Sequence, residues 1–316
     1  MRLVFFVQVH HHISGLNDVS NSVVTIGTFD GVHLGHQKII KRLVDLKQKE
    51  GGQTVLFTFD PHPRKVLFPE QTDLRLITTT REKCELLKQF GVDHVLVFPF
   101  TKAFSQMQAT EYISEIIAKG LHTKTLVIGY DHRFGSNREG NIDTLRQLSE
   151  VYHFRVEEIP AQEINQLNVS STRIRRAIEE GDVTTANEFL GYHFFVSGVV
   201  VKGKQLGRTI GYPTANIHVE DKDKLIPKIG VYAVHVAVDG KRYKGMLNVG
   251  INPTTDTDNR IKIEVNIFDF DEDIYGHDIR VEFVKWVRNE EKFANLEELK
   301  QALANDKLAC SAILNA

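Results

Sequence analysis

The first half of the chain alternates short apolar runs with longer segments in which apolar residues recur at helical spacing. Strands that alternate with helices in this way are typical of a parallel sheet covered by helices on both faces. We therefore predict an α/β domain with a doubly wound parallel sheet, whose strands are SVVTIG (22–27), QTVLFTF (53–59), HVLVF (94–98), KTLVIG (124–129) and FRVEEI (154–159). Among the helical segments, TTTREKCELLKQFG (78–91) places Thr79 and Glu82 at capping-box spacing.

The pattern changes after residue 194. Strand-like runs follow one another, separated by Gly, Asp and Asn residues that favour tight turns, and no long helical pattern occurs before LEELKQALAND (296–306). This predicts a small antiparallel β-barrel domain with a C-terminal helix. Two short helical segments precede the change, and the predicted domains are 1–185 and 186–316.

The N-terminal run MRLVFFVQVHHHIS is interpreted as a first strand. Its apolar stretch is short, and a histidine triplet stands where a signal peptide would have a small-residue cleavage site. Consecutive strand residues point to opposite faces, so we expect His10, His11 and His12 to be solvated rather than to bind one metal ion.

Composition narrows the class of protein. Among 316 residues, 39 Lys+Arg nearly balance 41 Asp+Glu, which gives a net charge of −2 and excludes a polybasic nucleic-acid binder. No apolar run approaches the roughly 20 residues that a membrane helix needs. The two cysteines, Cys84 and Cys310, fit buried free thiols in a reducing cytoplasm. We expect a cytoplasmic protein without nucleic-acid or membrane partners, and self-association into a homo-oligomer stays open.

The first chemical motif follows the strand SVVTIG, where TFDGVHLGHQ (28–37) places His33 and His36 at the start of a helix. Glycines let the backbone approach a ligand, and a helix N-terminus offers free N–H groups to phosphate. Imidazoles there can stabilise charge that develops in a transition state. The alternatives are a surface turn or a zinc site, but no nearby Cys or HxxxH pattern supplies further zinc ligands. The motif therefore favours phosphate binding.

Two further segments carry similar chemistry. GYDHRFG (129–135) follows another predicted strand, and VSSTRIR (169–175) places basic residues at a helix N-terminus. Positive charges at a helix N-terminus interact unfavourably with the positive end of the helix dipole, which suggests that a bound anion offsets this repulsion. The alternatives are a solvated turn and ordinary serine capping with surface arginines.

Together, GTFDGVHLGH, GYDHRFG and VSSTRIR resemble the HxGH nucleotidyltransferase superfamily. The sequences of these motifs are similar to those of the FMN adenylyltransferase module of prokaryotic bifunctional riboflavin kinase/FAD synthetases, and the resemblance covers residues 22–185. The resemblance implies that FMN attacks the α-phosphorus of ATP and releases pyrophosphate, with His33 and His36 as catalytic residues. It also implies nucleotide binding by Gly27, Phe29, Asp30, Gly31, Asp131, Arg133, Ser171, Thr172 and Arg173.

The second motif is KGKQLGRTIGYPTANI (202–217). Thr214 and Asn216 alternate so that both side chains face one way, and their oxygens could help to hold hydrated Mg²⁺ beside a nucleotide. From the residues alone, a strand with a polar face is the alternative. GRTIGYPTAN, LNVGINPTT, IEVNIFDFDEDIYG and VRNEEKF resemble, in order, the riboflavin kinase module of the same family over residues 190–305.

This second resemblance implies that Glu264 is the general base for the riboflavin 5′-hydroxyl and that Thr214 and Asn216 bind Mg²⁺ with ATP. From the sequence alone, Glu264 could equally pair with a lysine across the strand. The resemblance also implies ligand contacts by Gly203, Gly207, Pro213, Arg288, Glu290 and Phe293.

We therefore predict a bifunctional enzyme whose substrates and products are ATP and the flavins riboflavin, FMN and FAD. One alternative is a monofunctional riboflavin kinase with a non-catalytic nucleotidyltransferase-like domain. A second is an RNA-associated protein, since HxGH also marks certain aminoacyl-tRNA synthetases. The near-neutral charge and the missing KMSKS-like loop disfavour the second alternative.

Overall fold

The structure, a computed structural model, describes residues 7–71, 74–130, 132–161, 168–203, 205–251 and 261–316. The chain divides into two compact units, Met1–Ser171 and Thr172–Ala316. The domain boundary near residue 185 stays a prediction.

The first unit contains a parallel six-stranded sheet with helices, as the alternating pattern predicts. Its strand order is β1-β4-β3-β2-β5-β6. The strands are β1 Gln8–His10, β2 Ser22–Ile26, β3 Thr54–Phe59, β4 His94–Phe98, β5 Thr123–Gly129 and β6 Arg155–Ile159. The central strands are buried along nearly their whole length, which agrees with their continuous apolar sequences.

Helices connect these strands. They are α1 Leu34–Glu50, α2 Pro63–Leu67, α3 Thr80–Gln89, α4 Lys102–Ser105, α5 Ala109–Glu111 and α6 Ile142–Tyr152. Helix α5 continues as a π-helix over Tyr112–Gly120, and short 3₁₀ turns cover Ile13–Leu16, Pro69–Gln71 and Ser136–Arg138. The predicted capping box at α3 is confirmed, because the Thr79 side chain accepts from the Glu82 N–H and the Glu82 carboxylate accepts from the Thr79 N–H.

The strand order places a topological switch point between β2 and β5. From β2 the chain adds β3 and β4 on one side, whereas β5 and β6 lie on the other. Ligands of open α/β sheets bind where the strand order reverses, beyond the carboxyl ends of the strands. The loops after β2 and β5 therefore occupy the expected ligand position.

Helix α7 Ser171–Glu180 begins at the last residue of the first unit and otherwise belongs to the second, which continues with α8 Val183–Leu190 and a closed antiparallel barrel in the order β10-β11-β8-β7-β12-β9. The strands are β7 Phe195–Val201, β8 Ala215–His218, β9 Gly230–Val238, β10 Lys241–Ile251, β11 Ile261–Ile267 and β12 Asp278–Arg288. A short helix, α9 Leu206–Thr209, precedes β8, and the long C-terminal helix is α10 Leu296–Asn315. The predicted barrel and its C-terminal helix are confirmed.

Both cysteines are free and buried. Burial raises the pKa of Cys84 to about 11 and that of Cys310 to about 12. Both thiols therefore stay protonated near neutral pH and are poor nucleophiles. No helix among the described residues is at once long and apolar enough to cross a membrane.

The histidine triplet differs in part from the prediction. His11 and His12 are exposed, but His10 is half-buried and its Nε2 lies 3.0 Å from Nδ1 of the buried His94. Burial, followed by the charge of the neighbouring imidazole, lowers the pKa of His94. One nitrogen of the pair must be unprotonated to accept this hydrogen bond, so the contact requires at least one neutral ring and is lost when both are protonated.

We expect acid to destabilise the protein through His94. A histidine with a lowered pKa in the folded state binds its proton more readily when unfolded, so its contribution to stability is present above about pH 6.5 and is lost as pH falls further. His94→Gln should flatten the dependence of the urea unfolding midpoint on pH below about pH 6.5, relative to the unchanged chain. His11→Gln, an exposed control, should leave that slope unaltered. Equal slopes in the two variants would contradict the assignment.

Candidate functional site

The loop between β2 and α1 forms the core of the first site. Phe29 and Val32 adopt left-handed backbone angles, with φ of 47° and 39°, and both side chains are buried. Non-glycine residues held in this region store strain that recurs at functional sites. Gly27 starts the loop, and its N–H donates to the Phe57 carbonyl on the neighbouring strand at 3.0 Å.

His33 and His36 form a stacked pair at the N-terminus of α1. Their ring centroids lie 3.7 Å apart with planes 15° from parallel, and the ring of Phe29 lies 5.0 Å from that of His36. His33 is the N-cap, and its Nδ1 accepts the His36 backbone N–H at 3.3 Å. A neutral His33 ring must therefore carry its proton on Nε2.

His36 is held uncharged by its surroundings. Its pKa lies well below the ordinary value because burial penalises the charged ring, and the positive charges of His33 and Lys83 add to this effect. His36 as a residue is half-buried, but its Nδ1 is enclosed and has no hydrogen-bond partner among the described residues. An enclosed polar atom of this kind is a candidate contact for a bound ligand.

Asp30 fixes the loop to the segment before α3. Its carboxylate accepts the backbone N–H groups of Ile77 at 3.2 Å and Thr78 at 3.1 Å, and the Gly31 N–H donates to Thr78 Oγ1 at 3.0 Å. Gly31 has a φ of 81°, and a β-carbon there would lie 3.0 Å from the Ile77 side chain. The turn therefore requires glycine.

The other predicted residues of this site are placed as follows. Ser171 Oγ donates to the Asp30 carbonyl at 3.1 Å, so the Ser171 side chain lies against the β2–α1 loop. Arg133 is exposed in the loop after β5, and Asp131 lies outside the described residues. Thr172 and Arg173 are exposed in the first turn of α7, where the Arg173 guanidinium lies 4.9 Å from the centre of the Phe189 ring.

The second site is a row of polar residues across three neighbouring barrel strands. Glu264 on β11 pairs with Asn248 on β10 and with Asn216 on β8. Directly paired residues of antiparallel strands have their side chains on the same face of the sheet. The strand register therefore brings one carboxylate and two amides together, although they are far apart in the sequence.

Two clefts adjoin this row. The smaller, about 230 Å³, is lined by Gln205, Gly207, Thr214, Asn216, Asn248, Gly250, Ile251, Lys262, Glu264 and Glu290. The larger, about 370 Å³, is lined by Val200, Arg208, Pro213, Thr214, Ala215, Val265, Ile267, Phe270, Asp271, Glu272, Asp273, Ile274 and Tyr275. Thr214 lines both clefts, so it lies at their common boundary.

Two close contacts shape the smaller cleft. A β-carbon on Gly203 would lie 2.2 Å from the Asn216 amide nitrogen, so only glycine leaves this amide in place. The Asn266 amide donates to the Pro213 carbonyl at 2.7 Å and anchors the turn before Thr214. The backbone of this turn is thus held by a buried side chain of β11.

The end of β12 and the segment after it are only partly directed into the cleft. Glu290 lines it, and Glu290 Oε1 accepts from the Asn248 amide at 3.3 Å. Arg288 instead makes two hydrogen bonds, of 2.8 and 2.7 Å, to the buried Asp306 of α10, and these bonds raise its pKa. Phe293 is half-buried, with its ring centre 5.8 Å from the Arg288 guanidinium.

Sequence reasoning missed two residues beside these sites. Lys83 is buried next to the first site, and Asn248 completes the polar row of the second. Lys83 precedes Leu86 and Leu87 by three and four positions, which places it on the apolar side of α3 and was a usable signal. Asn248 could not be assigned without the pairing of β10 with β11.

The fold and the two sites define a nucleotide-dependent transferase with two catalytic domains. Residues 16–173 match the FAD synthetase family, and residues 190–314 match the riboflavin kinase family. The chain is 38% identical to a bifunctional riboflavin kinase/FMN adenylyltransferase of Listeria monocytogenes over 303 residues, 95% of each chain. It is 36% identical to that of Escherichia coli K12 over 302 residues, 94% of this chain and 95% of the other.

The chain belongs to the bifunctional riboflavin kinase/FMN adenylyltransferase family. Its C-terminal domain converts riboflavin and ATP to FMN and ADP, and its N-terminal domain converts FMN and ATP to FAD and pyrophosphate. Both domains are matched, so the alternative of a kinase alone is not favoured. A crystal structure described as a macrolide-efflux protein from Streptococcus pneumoniae has a TM-score of 0.85 and 33% identity, covering 96% of this chain and 98% of that one.

Proposed function

We propose that the β2–α1 loop carries adenylyl transfer and that the polar row of the barrel carries phosphoryl transfer. The stacked His33–His36 pair at a helix N-terminus, located at the topological switch point of the sheet, supports the first assignment. The placement of Glu264 between two amides in a cleft supports the second.

For adenylyl transfer, the FMN phosphate attacks the α-phosphorus of ATP in line, and no covalent enzyme intermediate is needed. The obstacle is repulsion between two anions, so catalysis relies on positioning and charge stabilisation. His33 donates from Nε2, and His36 and the free N–H groups of α1 contact phosphate oxygens. Four further residues, Asp131, Arg133, Thr172 and Arg173, are proposed to contact the nucleotide, with Ser171 holding the polyphosphate beside the loop.

For phosphoryl transfer, Glu264 accepts the proton of the riboflavin 5′-hydroxyl while that oxygen attacks the γ-phosphorus of ATP. The larger cleft, which is lined by apolar residues, Arg208 and the carboxylates of Asp271, Glu272 and Asp273, is proposed to take the nucleotide, and the smaller takes the hydroxyl-bearing end of riboflavin. Gly203, Gly207 and Pro213 shape the turn above the nucleotide. Glu290 and Phe293 contact the flavin, and Arg288 supports their segment from Asp306.

Mg²⁺ fits the oxygen donors of the second site. Thr214, Asn216 and Glu264 line one cleft and present a hydroxyl, an amide oxygen and a carboxylate. Mg²⁺ is usually held by few protein oxygens together with substrate phosphates. Thr214 and Asn216 would hold the ion, which would neutralise the phosphates of ATP when bound. Among the described residues there is no cluster of three or more His, Cys, Asp or Glu side chains suited to a metal.

The two buried, protonated thiols support a cytoplasmic location. The near-neutral charge supports small-molecule substrates without a nucleic-acid partner. Homo-oligomer formation stays open.

Transfer of labelled phosphate tests the assignment of the two reactions. With riboflavin as substrate, ATP labelled at the γ-phosphate should give labelled FMN and labelled FAD. ATP labelled at the α-phosphate should label FAD alone, because only adenylyl transfer retains that phosphorus. Addition of EDTA should stop both reactions, and excess Mg²⁺ should restore them. Label from the α-phosphate in FMN, or full activity in EDTA, would contradict the proposal.

We expect Gly203→Ala to impair the kinase selectively. An ideal β-carbon on residue 203 would lie 2.2 Å from the Asn216 amide nitrogen, so the added methyl group would displace that amide. Misplacement of one group by about 1 Å can lower a rate by about 10²-fold. Steady-state assays should show this loss in FMN formation, while FAD formation from supplied FMN stays unchanged. A kinase within about threefold of normal would show that Asn216 is not required in this position.

A further inference from the structure

Lys83 is a buried cation in the second turn of α3. Its side chain is 6% exposed, yet it belongs to none of the motifs that carry the adenylyltransferase resemblance. An ammonium group removed from water loses several kcal/mol of solvation unless it is paired or hydrogen-bonded. The structure must therefore contain compensating partners, and they identify the part of the molecule on which Lys83 acts.

The first partner is Thr58, which is fully buried on β3. Lys83 Nζ donates to Thr58 Oγ1 at 3.1 Å, and Thr58 Oγ1 donates to the Thr28 carbonyl at 3.1 Å. A hydroxyl has one proton and two lone pairs, so it can accept from Lys83 and donate to Thr28 at the same time. Thr28 opens the β2–α1 loop that ends in His33 and His36. A continuous hydrogen-bonded chain thus joins Lys83 to the backbone of that loop.

Two carboxylates balance the charge. Burial lowers the pKa of Lys83, whereas Asp30, Cys84 and Asp60, in that order, oppose this shift. Asp30 belongs to the β2–α1 loop, and Asp60 follows β3 and accepts from Thr80 Oγ1 at 2.8 Å. Lys83 therefore lies where the loop, the end of β3 and the start of α3 meet.

The positive charge of Lys83 also reaches His36. Three causes lower the pKa of that imidazole, and Lys83 is the third after burial and His33. His33 and Lys83 are the titratable groups that act on His36. Asp30, Asp60 and Cys84 are those that act on Lys83, which also donates a hydrogen bond to the uncharged Thr58.

We propose that Lys83 is a positioning residue for adenylyl transfer: its buried ammonium fixes the β2–α1 loop through Thr58 and Thr28, and its charge acts on the His36 ring. This inference rests on the proposed role of His36 in that reaction. Lys83 itself need not touch a substrate. Its removal should change both the geometry of the loop and the pH range in which His36 stays neutral.

The test uses Lys83→Met in the full chain, with riboflavin kinase activity of the same molecules as the measure of folding. FAD formation from FMN should lose about 10²-fold in kcat, as expected for a displaced catalytic loop, with a smaller change in KM. The acid limb of its pH profile should move to higher pH, because one cause of the lowered His36 pKa is gone. Lys88→Met, on the same helix, is the matched control and should change neither quantity.

A kcat within about threefold of normal, together with an unshifted pH profile, would overturn the proposal. If Lys83→Met also loses kinase activity, Thr58→Val provides the second test, since it removes the hydroxyl link alone. That variant should lose FAD formation while it keeps the kinase, and normal FAD formation would overturn the proposal. His36→Ala, measured in parallel, tests the proposed role of His36 separately from that of Lys83. If His36→Ala still forms FAD at the normal rate, the proposed role of His36 fails. If His36→Ala loses FAD formation while Lys83→Met keeps it, only the Lys83 inference is rejected.

Discussion

His36→Ala is expected to lower FAD formation from FMN and ATP by about 10²–10³-fold, or about 2.7–4 kcal/mol of transition-state stabilisation. FMN formation from riboflavin by the same preparation should be unchanged. Incubation with riboflavin and ATP should therefore accumulate FMN, and chromatography of the flavins measures both rates at once.

The reason lies in the enclosure of the stacked pair. The buried Nδ1 of His36 has no partner among the described residues, and its ring packs against both His33 and Phe29. Removal of the imidazole takes away one donor to a phosphate oxygen and also the surface on which the His33 ring rests. Electrostatic stabilisation of developing charge is stronger in such a water-excluded place than at an exposed surface.

His11→Ala is the matched control, because His11 is exposed and distant in the sequence from the loop. It should leave both activities at their normal values. Loss of both activities in a folded His36→Ala chain would contradict the assignment of one reaction to each site, and retention of FAD formation would remove His36 from the reaction.

Glu264→Gln is expected to have the converse effect. Formation of FMN should fall by about 10²–10⁴-fold, the range that general-base catalysis contributes. FAD formation should remain normal when FMN is supplied. An amide is similar in size to a carboxylate but cannot accept the hydroxyl proton, so the substitution removes basicity with little change in packing.

Glu282→Gln provides the control for a barrel glutamate. Glu282 lies on β12 and forms an exposed ion pair with Arg242 at 2.7 Å, which contributes little to stability. Its substitution should leave kinase activity unchanged. If Glu264→Gln lowered kcat/KM only through KM, Glu264 would be a binding group rather than the base.

The two sites differ in how far the sequence could specify them. His33 and His36 are separated by three positions at a strand-to-helix junction, so local pattern alone brought them together. Glu264 meets Asn216 and Asn248 only through strand register. Register depends on turns and barrel closure, which the sequence does not specify. The role of Glu264 could therefore be predicted only through family resemblance.

Arg288 and Lys83 also have contacts that the sequence alone does not reveal. By resemblance Arg288 belongs beside the flavin, yet its guanidinium is bound by Asp306 of α10, a contact between segments that no local pattern links. The spacing of Lys83 to Leu86 and Leu87 indicates that it lies on the apolar side of α3, but the sequence does not identify its hydrogen-bond partner. The fold of β3 places Thr58 beside it.

Thr214 lines both clefts of the barrel, and this shared wall has a thermodynamic consequence. If the nucleotide and riboflavin occupy the two clefts as proposed, a ligand that shifts the Thr214 side chain would alter the other cleft, and the two affinities would be coupled. Linkage makes the coupling reciprocal: the factor by which ATP changes riboflavin affinity equals the factor by which riboflavin changes ATP affinity. The two factors can be measured separately, as riboflavin affinity with and without ATP and as ATP affinity with and without riboflavin.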